Sequence, residues 1–236
     1  MDKTNYTAGF WSALIAFVAT MAFNIAQFLQ LLGVLTFPFD QILIYGFSLC
    51  IVIPFLIAML ALHYVAPPGK KFWSHAALLF TLMYVVFVTA NYVVQLATVI
   101  PMTIKGAAEE VGILNQTPHS LFWDFDAIGY IFMGLATLFA VPVFKKQGFQ
   151  KWVRYCFLVH ALVTPLIAFV YFYPNFSDTL LLIGIPWAIT APLSMLMLTL
   201  MFKKELISNL PPITFALDRE AKQSTHKTKV LSKQNL

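Results

Sequence analysis

Charge is what this chain has least of. Asp, Glu, Lys and Arg make up 11% of its 236 residues, against about a quarter in soluble globular domains. So little charge excludes a water-soluble domain of ordinary composition. It also argues against nucleic acid as a partner: the formal net charge of +5 resides in short clusters between apolar runs and in the C-terminal stretch. Cysteine is nearly absent. Cys50 and Cys156 fit neither a disulfide framework nor a zinc site, and both fall in apolar runs, where cysteine behaves as a small hydrophobe. The chain lacks GxxxxGK[ST], HExxH, GxSxG and CxxC, so nucleotide-binding and zinc-hydrolase chemistry have no foothold. No cofactor and no metal are expected, and no catalytic residue can be named.

What the chain has is apolar length. Hydrophobic residues make up 60% and aromatics 16%, and six runs exceed the roughly 20 residues that a membrane-crossing helix needs. They are Gly9–Leu35, Gln41–Ala66, Phe72–Ile100, Leu121–Phe144, Lys151–Tyr173 and Thr179–Phe202. Most breaks between them carry proline, glycine or charge. A transmembrane barrel would show alternating segments of about 10 residues instead, and none occur. The expectation is an all-α integral membrane bundle of six helices, comprising residues 1–202, followed by a basic, disordered cytoplasmic tail, 203–236. The first run is about twice as long as the apolar core of a signal peptide and lacks its basic start, so it is expected to stay as a helix.

Orientation follows from lysine and arginine. With the N-terminus in the cytoplasm, every Lys and Arg except Lys105 falls inside, and the C-terminus is inside too. Trp11, Trp73 and Trp152 then mark the cytoplasmic starts of spans one, three and five, as an interfacial aromatic belt would. The external connection 101–120 pairs Lys105 with Glu109 beside a stripe of Ile104, Ala108 and Val111, the pattern of a short interfacial helix. A turn at Asn115-Gln116-Thr117-Pro118 should follow it.

Polar side chains inside a bilayer need a partner, a cavity or a function. Span one places Thr20, Asn24, Gln27 and Gln30 on one face, and span three does the same with Tyr84, Asn91, Gln95 and Thr98. Span four continues from Asp126 to Tyr130 and Thr137. All three stripes thicken towards the extracytoplasmic side. The simplest account is a polar cavity that opens outward and binds a ligand through Asn24, Gln27, Gln30, Asn91, Gln95, Asp126 and Tyr130. Amides acting as glue between helices would give the same stripes. Asp126 has no basic residue at its depth, so it is a candidate for proton exchange, as is His160 near the middle of span five. Asp124 and Asp126 diverge by about 200° on a helix, which speaks against a shared metal. Pro54, Pro142, Pro165, Pro186 and Pro192 should bend or loosen their helices, and Trp187, Thr190 and Ser194 share a face of span six.

At Phe72-Trp73, at Asn91-Tyr92-Val93-Val94-Gln95-Leu96 and at Asp126-Ala127-Ile128-Gly129-Tyr130, the chain resembles small multi-pass membrane proteins of prokaryotes that carry no assigned function. The resemblance implies a six-helix protein of the bacterial inner membrane and transfers no site residue. Three functions fit these residues: a protein that binds or carries a small molecule or lipid, a structural or assembly subunit with a protein partner or a second copy, and, ranked last, an enzyme acting on a lipophilic substrate. Membrane lipid is the one partner common to all three.

Overall fold

The structure is a computed structural model, and it describes residues 3–208. All regular elements among the described residues are helical, and six helices are long and apolar enough to cross a membrane. The long helices are α1 (Lys3–Leu31), α2 (Phe39–Val65), α3 (Lys71–Val94), α4 (Leu121–Ala140), α5 (Gln150–Phe172) and α6 (Ile185–Ser208). Their packing order is a closed ring. Each helix lies against the next in the chain, and α6 returns to lie against α1. Most connections are short, so successive helices alternate in direction. One end of the ring gathers Lys70, Lys71, Lys145, Lys146 and Lys151; the connections at the other end contain Lys105 alone.

Small residues bring the helices together. The inward stripe of α1 is Gly9, Ala13, Ala16, Thr20, Phe23 and Ala26, while Ile15, Val18, Ile25 and Phe28 point out. Large apolar groups outside and small ones between helices is the pattern of a bundle solvated by lipid. The ring of Phe202 on α6 lies directly on Gly9, where a Cβ would stand 2.6 Å from it.

The helix ends show where the sequence reading and the fold differ. Span one was expected to reach Leu35, but α1 stops at Leu31. Gly33 adopts φ +69°; its N–H bonds the Gln30 carbonyl, and Val34 N–H bonds that of Leu29. This is the glycine stop that satisfies the last carbonyls of a helix. Span three was expected to end at Ile100. Instead α3 runs through a π turn (Gln95–Val99) into a last turn (Ile100–Ile104), and the whole Pro68–Ile104 segment spans 37 residues. Gly106, at φ +83°, ends it by the same device, with Gly106 N–H to Thr103 and Ala107 N–H to Met102. The expected interfacial helix is therefore split. Lys105 caps one element and Glu109 opens a separate 3-10 turn, Glu109–Leu114, so the two are not partners on one face. Of the expected stripe only Val111 is buried. Thr117 N–H to Asn115 and Ser120 N–H to Thr117 form the turn that follows. At the other boundary α6 continues beyond Phe202 to Ser208. The rest of the expected tail lies outside the described residues.

Candidate functional site

The lysine-poor end of the ring holds the site, and Asp126 is its centre. Asp126 is the sixth residue of α4, about 8 Å along the axis from the helix start. That helix begins cleanly because Ser120 caps it, its hydroxyl accepting from Trp123 N–H at 3.2 Å. Asp126 is 3% exposed, whereas Asp124 points outward and is exposed. The two carboxylates thus diverge, and no group of three metal-binding side chains occurs among the described residues.

Three neutral donors converge on the Asp126 carboxylate. The Tyr92 hydroxyl on α3 donates to Oδ1 at 2.7 Å, the Gln116 amide donates to Oδ2 at 3.0 Å, and the Tyr171 hydroxyl on α5 also donates to Oδ2. An acceptor met only by donors is the arrangement that suits an ionised carboxylate. Among the described residues no lysine, arginine or histidine bonds to it. Tyr92 stacks on Tyr45 of α2, with ring centroids 5.3 Å apart, and Tyr171 packs against Trp123 at 4.4 Å and Tyr130 at 5.8 Å. Four tyrosines from four helices therefore surround one acid.

These groups line a cleft of about 290 Å³. Gln27 and Gln30 come from α1, Gln41 and Tyr45 from α2, Tyr92 from α3, Gln116 from the connection, Asp126 and Tyr130 from α4, and Tyr171 from α5. A narrower pocket of about 10 Å³ lies deeper in the ring, sharing Tyr92, Asp126 and Tyr130 and walled by Ser48, Tyr84 and Trp187. The Trp187 indole N–H, which is buried, has no hydrogen-bond partner among the described residues.

Of the seven residues expected to form a cavity, the structure brings four to the cleft: Gln27, Gln30, Asp126 and Tyr130. The Gln27 amide donates to Gln30 at 2.8 Å, and Gln30 donates to Asp40 at 2.8 Å. The other three are engaged elsewhere. Asn24 donates to the Ala188 carbonyl of α6 at 2.6 Å. Residue 192, four positions on, is proline and has no N–H to offer, so Asn24 satisfies the carbonyl that Pro192 leaves free. Asn91 donates to Gln116 Oε1 at 3.0 Å, and Gln95 donates to the Leu114 carbonyl at 2.8 Å while accepting from Gln116 N–H at 3.2 Å. Both hold the connection 105–120 onto the bundle. The π turn at Gln95 explains why Thr98 does not follow it inward: the longer turn gives that place to Val99. His160 lies against α6, with Nδ1 3.0 Å from Thr190 Oγ1. Since Thr190 gives its proton to the Pro186 carbonyl at 2.8 Å, His160 acts there as the donor.

Gln116 was visible only as part of a turn, yet it ties Asp126, Asn91 and Gln95 together. Replacing it with alanine removes two side-chain bonds, one of them to a charged group, worth roughly 2–4 kcal/mol locally. Backbone amides of residues 107–120 are expected to exchange with deuterium at least about tenfold faster in Gln116→Ala, with α1 and α6 unchanged. Unaltered exchange would mean that the connection is held by other contacts.

Compared with protein-family models, curated proteins and solved structures, the chain matches none. The functional reading rests on the cleft alone.

Proposed function

We propose that this protein is a multi-pass membrane protein, sited in a prokaryotic inner membrane as the sequence resemblance implies, that binds a small polar molecule in the Asp126 cleft and holds or carries it. The observation behind this is the convergence of five helices on one buried carboxylate at the floor of an open cleft. Glue between helices is ordinarily made by uncharged polar side chains, whereas here three donors hold one carboxylate on the lining of a cleft. The volume, at the lower edge of the roughly 300–1,000 Å³ of drug-sized sites, suits a compact ligand. The distribution of lysine and arginine supports an orientation with the opposite end of the ring in the cytoplasm, and in that orientation the cleft opens outward.

The assembly reading draws on Asn24, Asn91 and Gln95, whose amides all serve internal contacts. A covered cleft would favour it. Accessibility separates the two. In a background without Cys50 and Cys156, cysteines at Gln27 and Gln41 are expected to react with a membrane-impermeant thiosulfonate added from outside. A cysteine at Asn91, which is fully buried, should not react. Silence at both Gln27 and Gln41, or reaction only from the cytoplasmic side, would overturn the outward cleft.

A further inference from the structure

The chemistry of the cleft selects among ligands. Fifteen of the described residues line it, and none of them is lysine, arginine or histidine. Among the described residues its one charge is Asp126, and a second carboxylate, Asp40, stands one hydrogen bond behind Gln30, with its Oδ1 buried and without a partner among them. An anion entering here would meet uncompensated negative charge in a site of low dielectric. The lining is rich in aromatic side chains: Tyr45, Trp123 and Tyr171 belong to it, as do Phe23 and Phe176. Ring faces carry negative quadrupole density and attract cations, most strongly when water is excluded. A metal ion such as Ca²⁺ needs about six or more oxygen ligands, and here one carboxylate already accepts from three protein donors. An organic ammonium needs no such cage. It asks for a counter-charge and aromatic walls, which the cleft supplies.

We propose that the ligand is a small organic cation, a substituted or quaternary ammonium, with Asp126 as its counter-charge and the rings of Tyr45, Trp123 and Tyr171 as its walls. This rests on the cleft being a binding site and goes further by naming the ligand class. Gln41 provides a clean probe, because it is half-buried on the cleft wall and makes no side-chain hydrogen bond to any other described residue. A lysine there adds repulsion without disturbing the bonds to Asp126.

The test uses the full chain in a neutral maltoside detergent, titrated by calorimetry with choline, its uncharged isostere 3,3-dimethylbutan-1-ol, and the anion 3,3-dimethylbutanoate. Choline is expected to bind at least about tenfold more tightly than the alcohol, and the anion more weakly than either. Gln41→Lys should weaken choline at least about tenfold more than it weakens the alcohol, a repulsion of roughly 1.4 kcal/mol. Equal binding of choline and the alcohol, or tighter binding of the anion, would overturn the cationic assignment and leave the cleft as a site for another ligand. Binding by none of the three would remove both this proposal and the reading beneath it.

Discussion

Asp126→Ala is expected to lower stability by about 3 kcal/mol, while Asp126→Asn costs about 1 kcal/mol, measured as thermal unfolding in detergent. The difference follows from who faces each oxygen. Oδ2 accepts from both Gln116 and Tyr171, whereas Oδ1 accepts only from Tyr92. Asparagine can keep its carbonyl in the Oδ2 position and serve two donors, turning its amide towards a tyrosine hydroxyl that can re-aim its own proton. Alanine leaves two hydroxyls and an amide without an acceptor, at roughly 1–3 kcal/mol for each that cannot find another. The tyrosine hydroxyls can rotate and Gln116 can move with its connection, which holds the total near the lower end. Asparagine thus separates charge from shape, and a loss of cation preference in a stable Asp126→Asn protein would belong to the charge. If alanine proves as stable as the parent, water already satisfies those donors, and Asp126 belongs to a solvated mouth rather than a bonded floor.

Much of the fold could be read from the sequence because lipid imposes a simple rule: long apolar runs become helices. All six long helices fall on the runs expected of them. Errors gathered at the ends, where one residue decides. Gly33 and Gly106 end their helices through left-handed backbone, and neither stands out among apolar neighbours on hydropathy alone. The π turn at Gln95 was equally hidden, since nothing in Gln-Leu-Ala-Thr-Val marks a departure from the α period.

The site was half legible. Polar residues within apolar runs pointed to the end of the bundle where Gln27, Gln30, Asp126 and Tyr130 line the cleft, but they could not show which amides face the cavity and which face another helix. Asn24 illustrates the difficulty. Its role depends on Pro192, which is distant in sequence and meets it only because the ring closes α6 onto α1. Tyr45, Tyr92 and Tyr171 carry no distinguishing signal in the sequence, since tyrosine is common near membrane interfaces, and only the ring geometry gathers them around one acid. Gln116 had no signal beyond its place in a polar turn.

The tightest of the glycine contacts among the described residues governs the same site from a distance. Gly134 on α4 faces Thr164 on α5 so tightly that a Cβ would stand 1.7 Å from Thr164 Oγ1, 2.8 Å from its Cγ2 and 2.7 Å from its Cβ. Gly134→Ala must therefore push α4 and α5 apart, and overpacking of this kind costs typically 1–3 kcal/mol and occasionally more. Here the upper part of that range, about 3 kcal/mol, is expected, because both obstructing carbons are anchored close to the backbone. About two turns along the same pair of helices, Asp126 and Tyr171 share their hydrogen bond, so separating the helices should also loosen the floor of the cleft. Second-site changes distinguish this account from a general intolerance of alanine. Thr164→Ala removes the hydroxyl and the methyl group but leaves its Cβ at 2.7 Å, still inside the 3.0 Å that real Cβ contacts respect, so it should restore only part of the lost stability. Thr164→Gly removes the Cβ as well. It should recover most of the loss, less about 1 kcal/mol for glycine within a helix. Unfolding midpoints of the two double variants, read against Gly134→Ala alone, decide the matter. Equal rescue by alanine and glycine, or no loss in Gly134→Ala itself, would show that α4 and α5 do not meet at this distance, and the bond from Tyr171 to Asp126 would lose its mechanical support.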